Sequence, residues 1–255
     1  MATTASSIPG TVSLERALSK LGLASRSQAR QLILAGRVCI DGKTATNPLI
    51  RVVPERAQIV IDGETARAAV PLTIALHKPR GYVTTRSDPQ GRPTVYDLLA
   101  DLPARVVPVG RLDLATSGLL LLTNDTQLAD WLTDPQSGVP RVYLVTVKGR
   151  VDDRIVDRLR RGVTEGGERL SAASAMIRKQ SNRESHLTLT LTEGKNREIR
   201  RLLKAVGHPV TQLRRVQFGG IALGTLAPGT WRRIPPAELR EAFPAYPSRR
   251  APKPK

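Results

Sequence analysis

A single cysteine, Cys39, is present in 255 residues. One thiol excludes an internal disulfide framework and any Cys-rich zinc centre. The three histidines, His77, His186 and His208, stand too far apart for a helix-borne metal motif. Aromatic residues are scarce: two Trp, four Tyr and two Phe, 3% of the chain. That scarcity argues against a sheet on which successive bases stack on several exposed rings. The longest purely aliphatic run is Leu119–Leu122, far short of a membrane span. Met1–Gly10 carries neither charge nor a long apolar stretch, so it fits neither a secretory signal nor an Arg-rich transit peptide. A cytoplasmic protein without membrane contact is expected. No GxGxxG is present, and the one P-loop-like word fails on spacing, because five residues separate Gly36 from Gly42 where four are required. No cofactor or metal is expected.

What the chain has instead is positive charge. Lys and Arg total 40 against 22 Asp and Glu, a formal net charge of +18. With 40% hydrophobic residues it can build a core, so the charge belongs to a folded protein that meets a polyanion.

The texture of the chain changes along its length. Residues 1–10 are rich in Ala, Ser and Thr and read as a disordered lead-in. Residues 11–64 read as a small unit of two helices and short strands. SLERALSKLGL has a helical period, Ser25 is placed to cap a second helix that Gly36 ends, and VCIDGKTAT reads as a hairpin about Asp41-Gly42. Residues 65–71 read as a linker, and residues 72–243 as a second, larger unit. In it TIALHKP, RVYLVTVKG and HLTLTLTEG read as strands. TVYDLLADL, DTQLADWLTD, DDRIVDRLRRG and NREIRRLLKAVG read as helices. No regular βαβ rhythm joins them, so the fold class is α+β with a mixed sheet. Residues 244–255, with four Pro, four basic residues and no acid, read as a flexible basic tail.

Three groups of residues bear on chemistry. In the first unit Arg26 and Arg30 lie four apart on one helix face, and Arg37 follows the helix end. Guanidiniums in such a ridge suit bidentate contact with phosphate, although a solvated helix face explains them equally well. In the second unit VPVGRLDLATSGLLLLTND places Arg111 and Asp113 in a loop between apolar strands. Taken alone, such an aspartate is most often a turn residue. The basic run Lys195–Arg201 sits on a helix whose other face carries Leu202, Leu203 and Val206.

As whole words, these segments resemble a known family. SLERALSKLGLASRSQARQLILAGRVCIDGKTATNPLIRVVPERAQIVIDG resembles an S4 RNA-binding domain. GRLDxxTSGLLLLT resembles the catalytic motif of the RsuA/RluB/RluE/RluF family of pseudouridine synthases. KPRGYVTT, RVYLVTVKG and LTEGKNREIRRLLKAVGHPVTQLRRVQFGGIALGTLAPGTWRRI resemble further segments of that family, in the same order. The resemblance implies a small S4-type RNA-binding domain followed by a mixed or antiparallel pseudouridine synthase sheet with flanking helices. It implies that Asp113 is the catalytic carboxylate, that Tyr143 lies in the active site and that Arg200 pairs with the aspartate. Ile199 would line the pocket, and Arg111, Lys195 and Arg197 would meet substrate. Arg26, Arg30 and Arg37 would hold RNA. The expected activity is isomerisation of one uridine in ribosomal RNA, 23S in preference to 16S, by a monomer acting on ribosomal RNA or a pre-ribosomal particle.

Overall fold

A computed structural model of the chain describes residues 10–54, 56–66, 69–102 and 104–247. The predicted lead-in up to residue 9 and the basic residues 249–255 lie outside the described residues. The chain divides into two compact units, Met1–Leu72 with Asn124–Gln127, and Thr73–Thr123 with Leu128–Lys255. No helix among the described residues is long and apolar enough to cross a membrane.

In the first unit, helix α1 (Leu14–Lys20) and helix α2 (Arg26–Leu34) pack on a four-stranded sheet. Ser25 begins α2 with a complete capping box: its Oγ accepts from Gln28 N at 3.1 Å, and Gln28 Oε1 accepts from Ser25 N at 3.3 Å. The strands are β1 (Val38–Ile40), β2 (Lys43–Ala45), β3 (Ile59–Ile61) and β4 (Glu64–Thr65), in the order β2-β1-β3-β4. Both tight turns are Asp-Gly pairs with positive φ at both residues, 49° and 80° at Asp41-Gly42 and 54° and 83° at Asp62-Gly63. That backbone suits the twist of paired strands. Leu14, Leu18, Ile33, Val38 and Ile59 form the core. Thr65, expected in the linker, is instead paired with Val60, because the second Asp-Gly turn sends the chain back for one more short strand.

The second unit is built on strands β5 (Thr73–Lys78), β6 (Ser117–Thr123), β7 (Arg141–Lys148), β8 (Ser174–Gln180), β9 (Glu184–Leu191), β10 (Val210–Phe218) and β11 (Trp231–Arg233). Their order is β8-β9-β7-β10-β6-β5-β11. Every junction along this path is antiparallel except β10 with β6, which is parallel. The sheet is therefore mixed, and its two antiparallel halves meet at one seam. Gly118 makes that seam possible. A Cβ there would stand 2.1 Å from the Arg215 carbonyl oxygen, and its φ is +108°. One core, with Leu187, Leu189, Leu202 and Leu213, belongs to the β8-β9-β7-β10 half. The other, with Leu119, Leu121, Leu132 and Phe218, belongs to the β6-β5 half. Helices α3 (Thr126–Thr133), α4 (Asp153–Arg161), α5 (Glu198–Ala205) and α6 (Pro236–Ala242) flank the sheet.

Three expectations need correction. TVYDLLADL forms only a short 3-10 turn at Asp97–Leu99, because the Asp97 carboxylate folds back to accept from Thr94 N at 2.7 Å. Pro103, four residues on, also cannot donate a helical hydrogen bond. The strand read at Val106–Val109 is reduced to Val107–Pro108. The expected tail does not begin at residue 244: the Tyr246 ring lies 5.3 Å from the Trp131 ring, so the packed unit runs at least that far.

Candidate active site

The sheet seam places a loop. Lys78 ends β5 and pairs with Gly118 at the start of β6, and the chain between them carries Arg111, Asp113 and Thr116. Lys78 is fully buried. Its Nζ donates to the carbonyl oxygens of Pro79 at 3.0 Å, Asp113 at 3.1 Å and Thr116 at 2.8 Å. Burial pushes this ammonium down to about 8, against the pull of the Asp113 charge. Thr84 Oγ1 donates to Leu112 O at 2.9 Å, and Arg80 Nε to Ala115 O at 3.3 Å. The loop bearing Asp113 is thus tied down by side chains that come from β5 and the residues just after it.

The Asp113 carboxylate is 34% exposed and faces two arginines from the start of α5. Arg197 Nη1 donates to Asp113 Oδ2 at 3.1 Å, and Arg200 Nε lies 3.8 Å from the same oxygen. Arg197 adopts the left-handed backbone, with φ of 48°, at the position before the helix. Arg200 also donates to Ala115 O at 3.2 Å and Val210 O at 3.4 Å, so it joins the loop, the helix and β10. Burial, with Arg197 beside it, lowers the Arg200 guanidinium from its ordinary value.

Asp113 opens into a cavity of about 170 Å³. Tyr143, Ile199 and Leu213 supply apolar wall, and Arg141 and Arg215 stack on Phe218 at 4.9 and 5.1 Å from the ring centroid. Glu198 lines the same cavity, and burial together with neighbouring Glu193 pushes its carboxyl up to about 7.

The site residues expected from the sequence fall into two places. Asp113, Tyr143, Arg200, Arg111, Ile199, Lys195 and Arg197 all line this one cavity. Arg197, expected to meet substrate, is the hydrogen-bonded partner of Asp113, nearer than Arg200. The Lys195 ammonium is engaged by Glu193 Oε1 at 2.7 Å and Arg169 O at 2.8 Å. Arg26, Arg30 and Arg37 lie in the first unit. There Arg37 is forked onto Asp62 with two 2.6 Å bonds, and Arg30 stands 3.7 Å from Glu15. Sequence reasoning missed Lys78, Thr116, Glu198 and Arg215. Only Lys78 left a signal, a lysine closing the otherwise apolar-leaning strand TIALHK.

Comparison with known proteins decides the family. Residues 73–205 match the RNA pseudouridylate synthase family, and residues 13–55 match the S4 domain. The chain belongs to the RNA pseudouridylate synthase family. It is 37% identical over 235 residues to an uncharacterized RNA pseudouridine synthase of Aquifex aeolicus, covering 92% of this chain and 94% of that one. It is 41% identical to ribosomal large subunit pseudouridine synthase B of Salmonella typhi, covering 87% of this chain and 78% of the relative. The Bacillus subtilis protein of the same name is 34% identical, with 89% and 93% covered. A crystal structure of a pseudouridylate synthase superposes with a TM-score of 0.63 at 26% identity, covering 91% of this chain and 99% of that one. This synthase is therefore an isomerase that acts on RNA, with an S4 domain at its N-terminal side. Its family segment holds Asp113, Tyr143, Ile199 and Arg200, whereas β10 with Arg215 lies beyond it.

Proposed function

We propose that this pseudouridine synthase isomerises one uridine of 23S ribosomal RNA, with Asp113 as its catalytic carboxylate. The large-subunit target rests on the relatives named ribosomal large subunit pseudouridine synthase B. The observation that carries the role of Asp113 is its geometry: a part-exposed carboxylate at a cavity mouth, on a loop fixed by Lys78 and held by Arg197 and Arg200. The reaction breaks the N1–C1′ bond, joins C5 to C1′ and moves the C5 proton to N1, so no atom is gained or lost. A carboxylate can begin it by engaging C1′, the C2′ proton or uracil C6, and it stabilises positive charge that builds on the sugar. Reaching the uridine requires taking it out of the stack. Tyr143 and Ile199 then pack on the base, and Arg200 orients Asp113. Arg111 meets the RNA beside the flipped nucleotide, and the S4 unit anchors the rest. The enzyme works as a cytoplasmic monomer on ribosomal RNA or an assembling particle.

The test is to map pseudouridine across ribosomal RNA from cells with and without the gene, then restore the gene as wild type or Asp113→Asn. One 23S position should be lost, recovered with wild type, and not recovered with the nearly isosteric Asp113→Asn. A lost position in 16S instead would overturn the target. Recovery by Asp113→Asn would overturn the assignment of the carboxylate.

A further inference from the structure

The chain between β5 and β6 carries a second group of cations outside the Asp113 cavity. Arg86, Tyr96 and Arg105 line an open cleft of about 480 Å³, floored by Leu99, Leu102 and Val106. No acidic residue lines it. The Tyr96 hydroxyl donates to Val106 O at 3.2 Å, which holds the ring in place. The Arg86 guanidinium lies 4.5 Å from the centroid of that ring. Arg86 is exposed, and its side chain makes no ion pair or hydrogen bond among the described residues. Arg92, further along the same loop, shows the usual alternative: it is forked onto Asp88 through bonds of 3.0 and 2.6 Å.

Two like charges brought to one ring repel each other, and Arg105 feels it. Burial, and then the charge of Arg86, lower its guanidinium from the ordinary value. Such an arrangement costs stability until an anion enters, and guanidiniums match a phosphate group through their paired N–H donors. The cleft is larger than one phosphate needs, and its apolar floor suits the face of a sugar beside it.

The cleft is tied to the loop that bears Asp113. Thr84 Oγ1 donates to Leu112 O at 2.9 Å and accepts from Leu112 N at 3.3 Å. Arg86 follows Thr84 by two residues, which is at most about 7 Å of chain. Thr84, Thr85 and Ser87 line a groove that runs to Asp113, whereas Arg86 turns into the cleft on the other side of the segment. Residues 84–87 thus form a rim between groove and cleft. We propose that Arg86 and Arg105 bind a backbone phosphodiester of the substrate RNA, a few nucleotides from the target uridine, where the strand crosses this rim. The proposal rests on the reading of the Asp113 cavity as the place of isomerisation.

The experiment uses the full-length protein and RNA fragments spanning the mapped uridine. In each fragment one flanking phosphodiester is replaced by a neutral methylphosphonate on a 2′-deoxy nucleotide, and the matching 2′-deoxy phosphodiester is the reference. At one or more positions the neutral linkage should weaken binding to wild type by about fivefold or more. Arg86→Gln and Arg105→Gln should each bind the reference more weakly, and at such a position the neutral linkage should then cost them less than about twofold, because the contact is already gone. The plot of log affinity against log salt should flatten by roughly 0.7–0.9 for each lost contact. Arg86 is exposed, so Arg86→Gln carries the test alone if Arg105→Gln does not fold. If no position loses its penalty in Arg86→Gln, the proposal is overturned, and any weaker binding by that variant then means that the stack on Tyr96 only shapes the loop. Asp113→Asn, assayed alongside, separates the two levels. Turnover retained by Asp113→Asn removes the reading of the Asp113 cavity. A dead Asp113→Asn beside undiminished penalties in Arg86→Gln removes only the phosphate site.

Discussion

Lys78 and Asp113 are joined through the main chain: Lys78 Nζ donates to the Asp113 carbonyl oxygen at 3.1 Å, while the Asp113 carboxylate goes to Arg197. The buried ammonium thus fixes the loop and leaves the carboxylate turned toward the cavity. Lys78→Met keeps the length of the side chain and leaves three carbonyls, those of Pro79, Asp113 and Thr116, without this donor. Each unpaired carbonyl costs about 1–3 kcal/mol, partly offset because a desolvated charge is also removed. A net loss of roughly 1–2 kcal/mol of stability is expected from those terms. Single-turnover rate should fall at least tenfold at saturating RNA. Thermal unfolding and rapid-quench kinetics check this, and unchanged chemistry in a destabilised protein would limit Lys78 to a structural part.

The two arginines on Asp113 should separate in their effects. Arg200 is tied to Ala115 and Val210 as well as facing the carboxylate, whereas Arg197 is 52% exposed. Arg200→Ala should cut single-turnover rate a hundredfold or more and lower the unfolding temperature. Arg200→Lys should retain more of both. Arg197→Ala should leave stability within about 0.5 kcal/mol, as exposed positions do, and reduce turnover about tenfold. A larger loss from Arg197→Ala than from Arg200→Ala would make Arg197 the principal orienting group.

Glu198 gives stability a definite pH dependence. Its carboxyl is raised to about 7 in the folded protein, chiefly by burial and then by Glu193. The folded state therefore holds its proton more firmly than the unfolded state does. Its favourable contribution is complete below the ordinary carboxylate value and is lost as pH rises to about 7. Glu198→Gln removes that titration. Relative to wild type, the variant should gain stability between pH 4.5 and 8, by up to roughly 3 kcal/mol at 1.36 kcal/mol per unit. Denaturant unfolding of both proteins at the two pH values measures the difference. A difference that does not change with pH would mean that Glu198 carries no raised pKa.

How far the sequence reveals this site depends on which residues carry a local pattern. Ser25 with Gln28, the two Asp-Gly turns and the alternation of HLTLTLT are local, and the structure has the capping box, both hairpins and the strand. β10 shows no such signal. Nothing local in LRRV distinguishes Arg215 from its neighbour Arg214, yet Arg215 is buried because β10 lies between β7 and β6 at the centre of the sheet. Glu198 and Lys78 are hidden for the same reason, since their burial is decided by elements distant in the chain. Arg111, Asp113, Tyr143 and Ile199 were legible through whole motif words. That Arg197 is nearer than Arg200 to the carboxylate was not, because it depends on a single left-handed residue before α5.

RNA anchoring should reside in the first unit, and the ion pairs there say which residues to change. Arg37 is engaged by Asp62 through Nε and Nη2, so it is a poor choice for a test. Arg30 has only a 3.7 Å contact to Glu15, and Arg26 makes no ion pair among the described residues, so these two guanidiniums are the better placed for phosphate. Removing residues 1–66 should leave a folded synthase unit, whose two cores are built from residues after Thr73. Its affinity for RNA should be much weaker. Each lost phosphate contact should flatten the plot of log affinity against log salt by roughly 0.7–0.9. The double change Arg26→Glu with Arg30→Glu should reproduce part of that loss and leave single-turnover chemistry at saturating RNA unaltered. The measurement is a titration of ribosomal RNA fragments against full-length, truncated and doubly substituted protein at several salt concentrations. Equal affinities and equal slopes for all three would show that the RNA is held by the synthase unit alone, and the anchoring role of the first unit would have to be given up even if Asp113 proved catalytic.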